Sequence, residues 1–164
     1  MIQRSYNLVS ELFSHLRVSS EYSISQGLLT VDQIIDNAKR LSVPSVALTD
    51  KSNMFGLVKF FNKCEAAGIK PISGSSIKLI FEDDDDAFEL LCLAKTNKGH
   101  KNLMKIISSA HNNNLYNSPI IHFNDLVSLK DDIIVISGGK DSHIYEYLRT
   151  NNFKEANKRI DILR

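Results

Sequence analysis

Tryptophan is absent from this chain of 164 residues, and cysteine, proline and glycine occur only two, three and seven times. So few glycines and prolines exclude a collagen-like or low-complexity polymer. Cys64 and Cys92 stand far apart with no second thiol beside either, which excludes a cysteine-paired metal site and a disulfide scaffold. They read as buried or half-buried thiols in a reducing compartment. An excess of one charge is missing too, since 20 basic and 19 acidic residues leave a net charge of +1. That balance gives no global attraction to nucleic acid or to a membrane surface, and direct DNA contact is not expected beyond a local patch. No apolar run approaches the roughly 20 residues of a membrane span. The opening residues Met1 to Tyr6 lack the charged-then-apolar order of a signal peptide, so the expected location is cytoplasmic.

What is present is ordinary for a folded domain: 43% of residues are hydrophobic and 24% charged, on a length that buries one core. The chain is organised around His15 to Gly27. Leu12 to Val18 reads as a strand that ends in a polar loop of Ser19, Ser20, Glu21, Ser23, Ser25 and Gln26, closed by Gly27. In α/β proteins the loop at the C-terminal end of a strand is where chemistry sits.

Thr30-Val-Asp-Gln33 has capping-box spacing, and Val31, Ile34, Ile35, Ala38 and Leu41 recur at helical spacing. Pro44 ends that helix, and Ser45 to Thr49 is a short β-favouring run. Asp50 to Gly56 forms the second polar loop. There Ser52 or Asn53 is placed to cap a helix whose core face is Leu57, Val58, Phe60, Phe61 and Cys64. Gly68 suits the left-handed residue that closes it. Ile69 to Ile72 then leads through Gly74 into a strand, Ile77 to Phe81. Strand, helix, strand, helix, strand with short connections predicts parallel strands in an α/β sheet or barrel.

Glu82 to Asp86 is an unbroken run of carboxylates. Successive side chains of an extended segment point to opposite faces, so the run reads as a solvated hairpin tip rather than a cation site. Ala87 to Ala94 is expected to pair back on Ile77 to Phe81. Asn97 is expected to cap a long helix with Leu103, Met104, Ile106, Ile107 and Ala110 inward, ended by His111 and the asparagines 112–114. Ile120 and Ile121 are extended, Phe123 to Leu129 a short helix, and Asp132 to Ser137 a buried strand. Helices are expected over Ile144 to Arg149 and Phe153 to Leu163. Gly138-Gly139-Lys140 lacks the spacing of a phosphate-cradling loop and reads as a tight turn needing positive φ. His100, His111, His122 and His143 lie without ligand spacing, in surface or capping roles.

Four motifs then occur in order at short intervals: His15-Leu-Arg-Val-Ser-Ser-Glu-Tyr-Ser23, Pro44-Ser-Val-Ala-Leu-Thr-Asp50, Asn53-Met-Phe-Gly56 and Ala67-Gly-Ile-Lys-Pro-Ile72. Together they resemble the N-terminal polymerase-and-histidinol-phosphatase (PHP) domain of bacterial replicative DNA polymerase III alpha subunits. Asn97-Lys-Gly-His-Lys-Asn-Leu103 and Ile133-Ile-Val-Ile-Ser-Gly-Gly139 fit as well, so the likeness covers nearly the whole chain after about residue 12. It implies a distorted (β/α) barrel of PHP type, represented by its N-terminal part, as one domain over residues 1–164. In members that keep it, a cluster of histidines, an aspartate and a glutamate holds metal at the strand ends for phosphoester hydrolysis. Such ligands bind divalent metal and lower the pKa of its water.

The resemblance places Arg17 and Ser19 at the first-strand pair of histidines and Gln26 at the aspartate before the glycine. It places Lys51 at the histidine after Thr49-Asp50, and Ser76 at the glutamate after the third strand. All of these positions depart from the family's pattern. Arg17 and Lys51 are cations, which repel a divalent ion by several kcal/mol even at an effective dielectric of about 20. The metal site is therefore expected to be lost, leaving no catalytic residue and no metal ligand. His15, Arg17, Asp50 and Lys51 remain as a pocket for an anion or as an ion-pair cluster.

By the same resemblance the domain is a non-catalytic scaffold in DNA replication and a docking site for the proofreading exonuclease subunit. The alternative is a residual phosphoesterase or pyrophosphatase, or a phosphate-binding pocket, at the former metal site. The implied parent is a DNA-directed DNA polymerase, a nucleotidyltransferase with Mg2+ at its own site. This chain is expected to lack that site's palm carboxylates, the fingers and the clamp-binding region. The implied partners are the exonuclease subunit, the rest of the alpha subunit and its holoenzyme.

Overall fold

The structure is a computed structural model and describes residues 13–82, 86–112 and 118–163. Within the stretch expected to form one domain, packing separates two compact units, one up to Gly74 and one from Ser75.

Helix α1 (Val31–Arg40) opens the regular structure of the first unit. Gln33 N–H donates to Thr30 Oγ1 at 3.2 Å, and Thr30 N–H donates to Gln33 Oε1 at 2.9 Å, the reciprocal pair that the spacing predicts. An N-cap of this kind contributes about 1 kcal/mol. Val31, Ile34, Ile35 and Ala38 are buried, and each large aliphatic side chain so placed stabilises by about 1.5–3 kcal/mol. Strand β1 (Ser45–Leu48) and helix α2 (Leu57–Ala66) follow. Leu57, Phe60 and Cys64 join the same core, a stripe at helical spacing. Val58 and Phe61 do not: each sits one residue, about 100°, round the helix from that stripe, and Val58 is 75% exposed.

The cap of α2 also differs from expectation. Its N-cap is Gly56, while Asn53 Oδ1 accepts Phe55 N–H at 3.1 Å and is spent on an Asx turn ahead of the helix. At the other end Gly68 has φ of +68°. Gly68 N–H donates to the Glu65 carbonyl at 3.1 Å and Ile69 N–H to that of Cys64 at 2.9 Å, the paired bonds of a Schellman cap. Strand β2 (Lys70–Ile80) is continuous rather than a lead followed by a strand, and Lys70 to Ser73 pair in parallel with Ser45 to Leu48.

The second unit takes the rest of β2, then β3 (Phe88–Ala94), α3 (Asn97–Asn112), β4 (Ile120–His122), α4 (Phe123–Ser128), β5 (Ile133–Ser137), α5 (His143–Arg149) and α6 (Phe153–Leu163). As expected, β3 lies hydrogen-bonded beside β2. β4 is parallel to β2, whereas β5 is antiparallel to β3. The sheet is thus mixed, not all parallel. The seven residues between Ile80 and Phe88 are too few for the crossover of about a dozen that a parallel pair needs. Ile77, Leu79, Leu90, Cys92, Leu103 and Ile106 form the buried centre, while Met104, expected inside, is exposed. β5 is half-exposed rather than buried because it ends the strand order.

Thr96, not Asn97, caps α3: its Oγ1 accepts Lys98 N–H at 3.1 Å and Gly99 N–H at 3.3 Å. Gly139 has the positive φ, +66°, expected of its turn. His143 departs from the surface role foreseen for it, since its ring packs 4.1 Å from that of Phe88 and 5.9 Å from that of Tyr147. The His143 ring also lies 6.4 Å from that of Phe81, over which the buried Arg159 guanidinium stands at 4.0 Å in a cation–π contact. Cys64 and Cys92 are free and buried, and burial pushes their thiols up to about 11 and about 12. Asp83 to Asp85 of the acidic run, and Asn113 and Asn114, lie outside the described residues. Among the described residues no helix is long and apolar enough to cross a membrane.

Candidate functional site

The segment leading to the first polar loop runs parallel to β1 but is not a regular strand. His15 bridges Val46, and Ala47 N–H donates to the His15 carbonyl at 2.8 Å. Further on, Thr49 N–H donates to the Val18 carbonyl at 2.8 Å, but Val18 N–H donates to the Thr49 hydroxyl at 2.9 Å. A side-chain oxygen thereby takes the place of a backbone carbonyl, which is why the strand predicted over Leu12 to Val18 is reduced to one bridge. Leu12 itself lies outside the described residues.

Past Thr49 the chain enters the second polar loop with Asp50, which is 1% exposed. Its Oδ1 accepts Ser20 N–H and the Ser23 hydroxyl, both at 2.7 Å, and its Oδ2 accepts the Ser20 hydroxyl at 2.8 Å. A carboxylate has about four acceptor positions, so most of them are filled by donors of the first loop. Ser23 Oγ in turn accepts Lys51 N–H at 3.0 Å. Asn53 adds a second tie, its amide donating to the carbonyls of Tyr22 and Lys51, each at 3.0 Å.

The first loop is wound tightly enough to present these donors. Gly27 N–H donates to the Ser23 carbonyl at 2.8 Å, and Ser23 N–H to that of Ser20 at 2.9 Å. A Cβ on Gly27 would lie 1.7 Å from the Ser20 carbonyl oxygen, so only glycine fits there. Ser25 and Ser52 hold φ of +69° and +50°, one strained residue in each loop.

Of the residues singled out in the sequence, Asp50 is the buried centre. Lys51 and Ser19 are half-buried, and Arg17, Gln26 and His15 are exposed. The His15 ring stands edge-on to Phe13 at 4.8 Å. Ser76 belongs to the second unit, where it is buried and its hydroxyl donates to Glu89 Oε1 at 2.6 Å. Ser20 and Ser23, the donors to Asp50, escaped the reading as site residues. The available signal was two serines three apart in a polar loop, facing the one aspartate that ends β1. Among the described residues, no three His, Cys, Asp or Glu side chains are grouped so as to hold a metal ion.

The PHP domain family model matches residues 15–164. The chain belongs to the PHP domain family. The alpha subunit of DNA polymerase III from Vibrio cholerae is 35% identical over 151 residues, covering 91% of this chain and 13% of that protein. The alpha subunit from Escherichia coli K12 is 38% identical over 130 residues, covering 78% of this chain and 11% of that protein. This PHP domain thus corresponds to the N-terminal PHP region of those subunits and spans roughly an eighth of the relatives it matches. Among solved structures, an amidohydrolase from Chromobacterium violaceum with bound sulfate and no metal is 21% identical. It has a TM-score of 0.49 and covers 60% of this chain and 33% of its own.

Proposed function

We propose that this PHP domain serves DNA replication without hydrolytic chemistry of its own, as a scaffold of a polymerase III alpha subunit and a docking site for the proofreading exonuclease subunit. The observation that carries this reading is the state of Asp50. The one carboxylate at the strand end is buried and turned onto Ser20 and Ser23. The residues at the former ligand positions do not fit a divalent metal cluster: Arg17 and Lys51 bring positive charge, and Ser19, Gln26 and Ser76 are neutral. A hydrolytic site for phosphate is disfavoured by the same buried carboxylate, which repels the substrate and offers little free acceptor capacity to activate water.

A docking role is supported by apolar surface on the first unit. Ile24, Leu28, Phe55 and Val58 are each at least 74% exposed. They flank the place where the first loop meets the start of α2, where a Cβ on Gly56 would lie 2.8 Å from the Tyr22 ring. Large apolar side chains left exposed on two segments that meet suit an interaction surface. The test is capture of the exonuclease subunit encoded in the same genome by the immobilised chain, followed by the same measurement on Phe55→Ser/Val58→Ser. Capture by the parent chain and its loss in the variant support docking here. A parent chain that captures nothing overturns the reading.

A further inference from the structure

Helix α3 carries no aspartate or glutamate in its sixteen residues, in a chain whose charges otherwise balance. Its buried face is Gly99, Asn102, Leu103, Ile106, Ile107 and Ala110. Away from that face, Lys98, Lys101, Lys105, Ser108 and Asn112 succeed one another in steps of three and four, which makes one stripe along the helix. Lys98 is engaged at the first turn, its Nζ 2.8 Å from the Asp131 carboxylate. Lys101 and Lys105 are exposed beyond it and form no ion pair among the described residues. Together with Met104, Ser108, Ser109 and Asn112 they line an open groove to which no described carboxylate contributes.

We propose that this stripe of α3 binds the sugar-phosphate backbone of DNA, with Lys101 and Lys105 each neutralising a phosphate and Ser108 and Asn112 donating to phosphate oxygens. The inference rests on the reading of the chain as part of a DNA polymerase. It does not depend on exonuclease docking. Residues four apart on a helix are about 6 Å apart along its axis. Each strand of duplex DNA carries one negative charge per about 3.4 Å of axis, so two ammonium groups at this spacing are each within reach of a phosphate. Hydroxyl and amide donors are common phosphate partners. Among its described residues the groove offers neither an aromatic ring for stacking a base nor an arginine fork for a base edge, which suits a contact independent of sequence.

The test is a titration of a fluorescent mixed-sequence duplex with the 164-residue chain over rising sodium chloride, followed by anisotropy. The same titration is run on Lys101→Glu/Lys105→Glu, with circular dichroism to show that the variant is folded. Each phosphate contact contributes about 0.9 to the slope of log affinity against log salt, so the variant is expected to lose about two units of slope and about tenfold or more in affinity. Lys39→Glu/Arg40→Glu on the exposed side of α1 makes the same change of net charge and is expected to leave the slope intact. Equal losses from the two pairs, or no salt-dependent binding by the parent chain, overturn the proposal. Binding of polyglutamate with the same dependence on Lys101 and Lys105 overturns it in favour of an acidic protein segment. Exonuclease capture by the Lys101/Lys105 variant is read in parallel, so a failed DNA contact and a failed docking reading are told apart.

Discussion

Ser23 Oγ donates to Asp50 Oδ1 at 2.7 Å while accepting Lys51 N–H at 3.0 Å, so a single hydroxyl joins the first polar loop to the second. Ser23→Ala leaves a buried acceptor and a backbone donor short of a partner and is expected to cost about 1–3 kcal/mol. Asp50→Ala strands three donors at once and is expected to cost about 3 kcal/mol or more. Asp50→Asn keeps one acceptor oxygen, and the Ser20 hydroxyl can turn to accept from its amide, so the loss is smaller. Urea denaturation ranks the three. Equal losses for the Ala and Asn variants at Asp50 would mean that charge, not acceptor geometry, holds the loops.

Two glycines separate clash from conformation. Gly27→Ala drives a Cβ into the Ser20 carbonyl and is expected to cost more than about 3 kcal/mol. Gly68→Ala meets nothing within 4 Å and suffers only the left-handed penalty of about 1–2 kcal/mol. Thermal melting of both variants checks the order, and a milder Gly27 variant would show that the first loop is able to open around the added methyl.

Equilibration with zinc, manganese and magnesium, followed by gel filtration and elemental analysis, is expected to leave well under one equivalent of metal on the chain. Stoichiometric zinc or manganese would return phosphoester hydrolysis as the leading function and displace the scaffold reading.

Acid and base act on the surface ion pairs in opposite senses. Hydrogen bonds from Lys63 and Lys59 hold the Asp32 carboxyl below its ordinary 3.8, the Lys98 bond does the same for Asp131, and the Arg149 bond lowers Glu146 from 4.5. Folded values below the unfolded ones mean that this stabilisation is complete above about pH 5 and is lost as pH falls through the lowered values. Lys59 and Lys98 are raised above 10.5 by Asp32 and Asp131, so their share is complete below 10.5 and is lost as pH rises through the folded values. Where these pairs set the profile, the melting temperature is flat between about pH 5 and 9 and falls on either side. Asp131, Lys98, Glu146 and Arg149 are exposed and Asp32, Lys59 and Lys63 half-buried, all open to solvent, so added salt flattens both limbs. A decline centred near neutrality would place the controlling group elsewhere.

Elements whose signals lie within one turn are legible in the sequence. Thr30 and Gln33 are three residues apart, and Gly68 closes α2 with bonds to carbonyls just behind it, so both caps fall where the pattern puts them. What escapes is decided across the chain. Val18 gives its N–H to a hydroxyl 31 residues away, and no local pattern announces that a threonine will replace a carbonyl. Val58 and Phe61 have the composition of core residues, but the stripe Leu57, Phe60 and Cys64 already fills the face of α2 turned inward. At the site, Asp50 stands out in the sequence beside Lys51, while its serine donors lie 30 and 27 residues upstream. Periodicity finds the elements. It does not say which hydroxyl will reach which carboxylate.

The donors on Asp50 belong to the same polypeptide, and this changes how the loop responds to its surroundings. A group captured from solution stabilises a fold in proportion to the logarithm of its concentration, and a chelator withdraws it. Ser20 and Ser23 arrive with the chain, one set per molecule, at a local concentration that dilution leaves untouched. The tie between the two strand-end loops is therefore intramolecular, and its strength does not vary with the concentration of the chain.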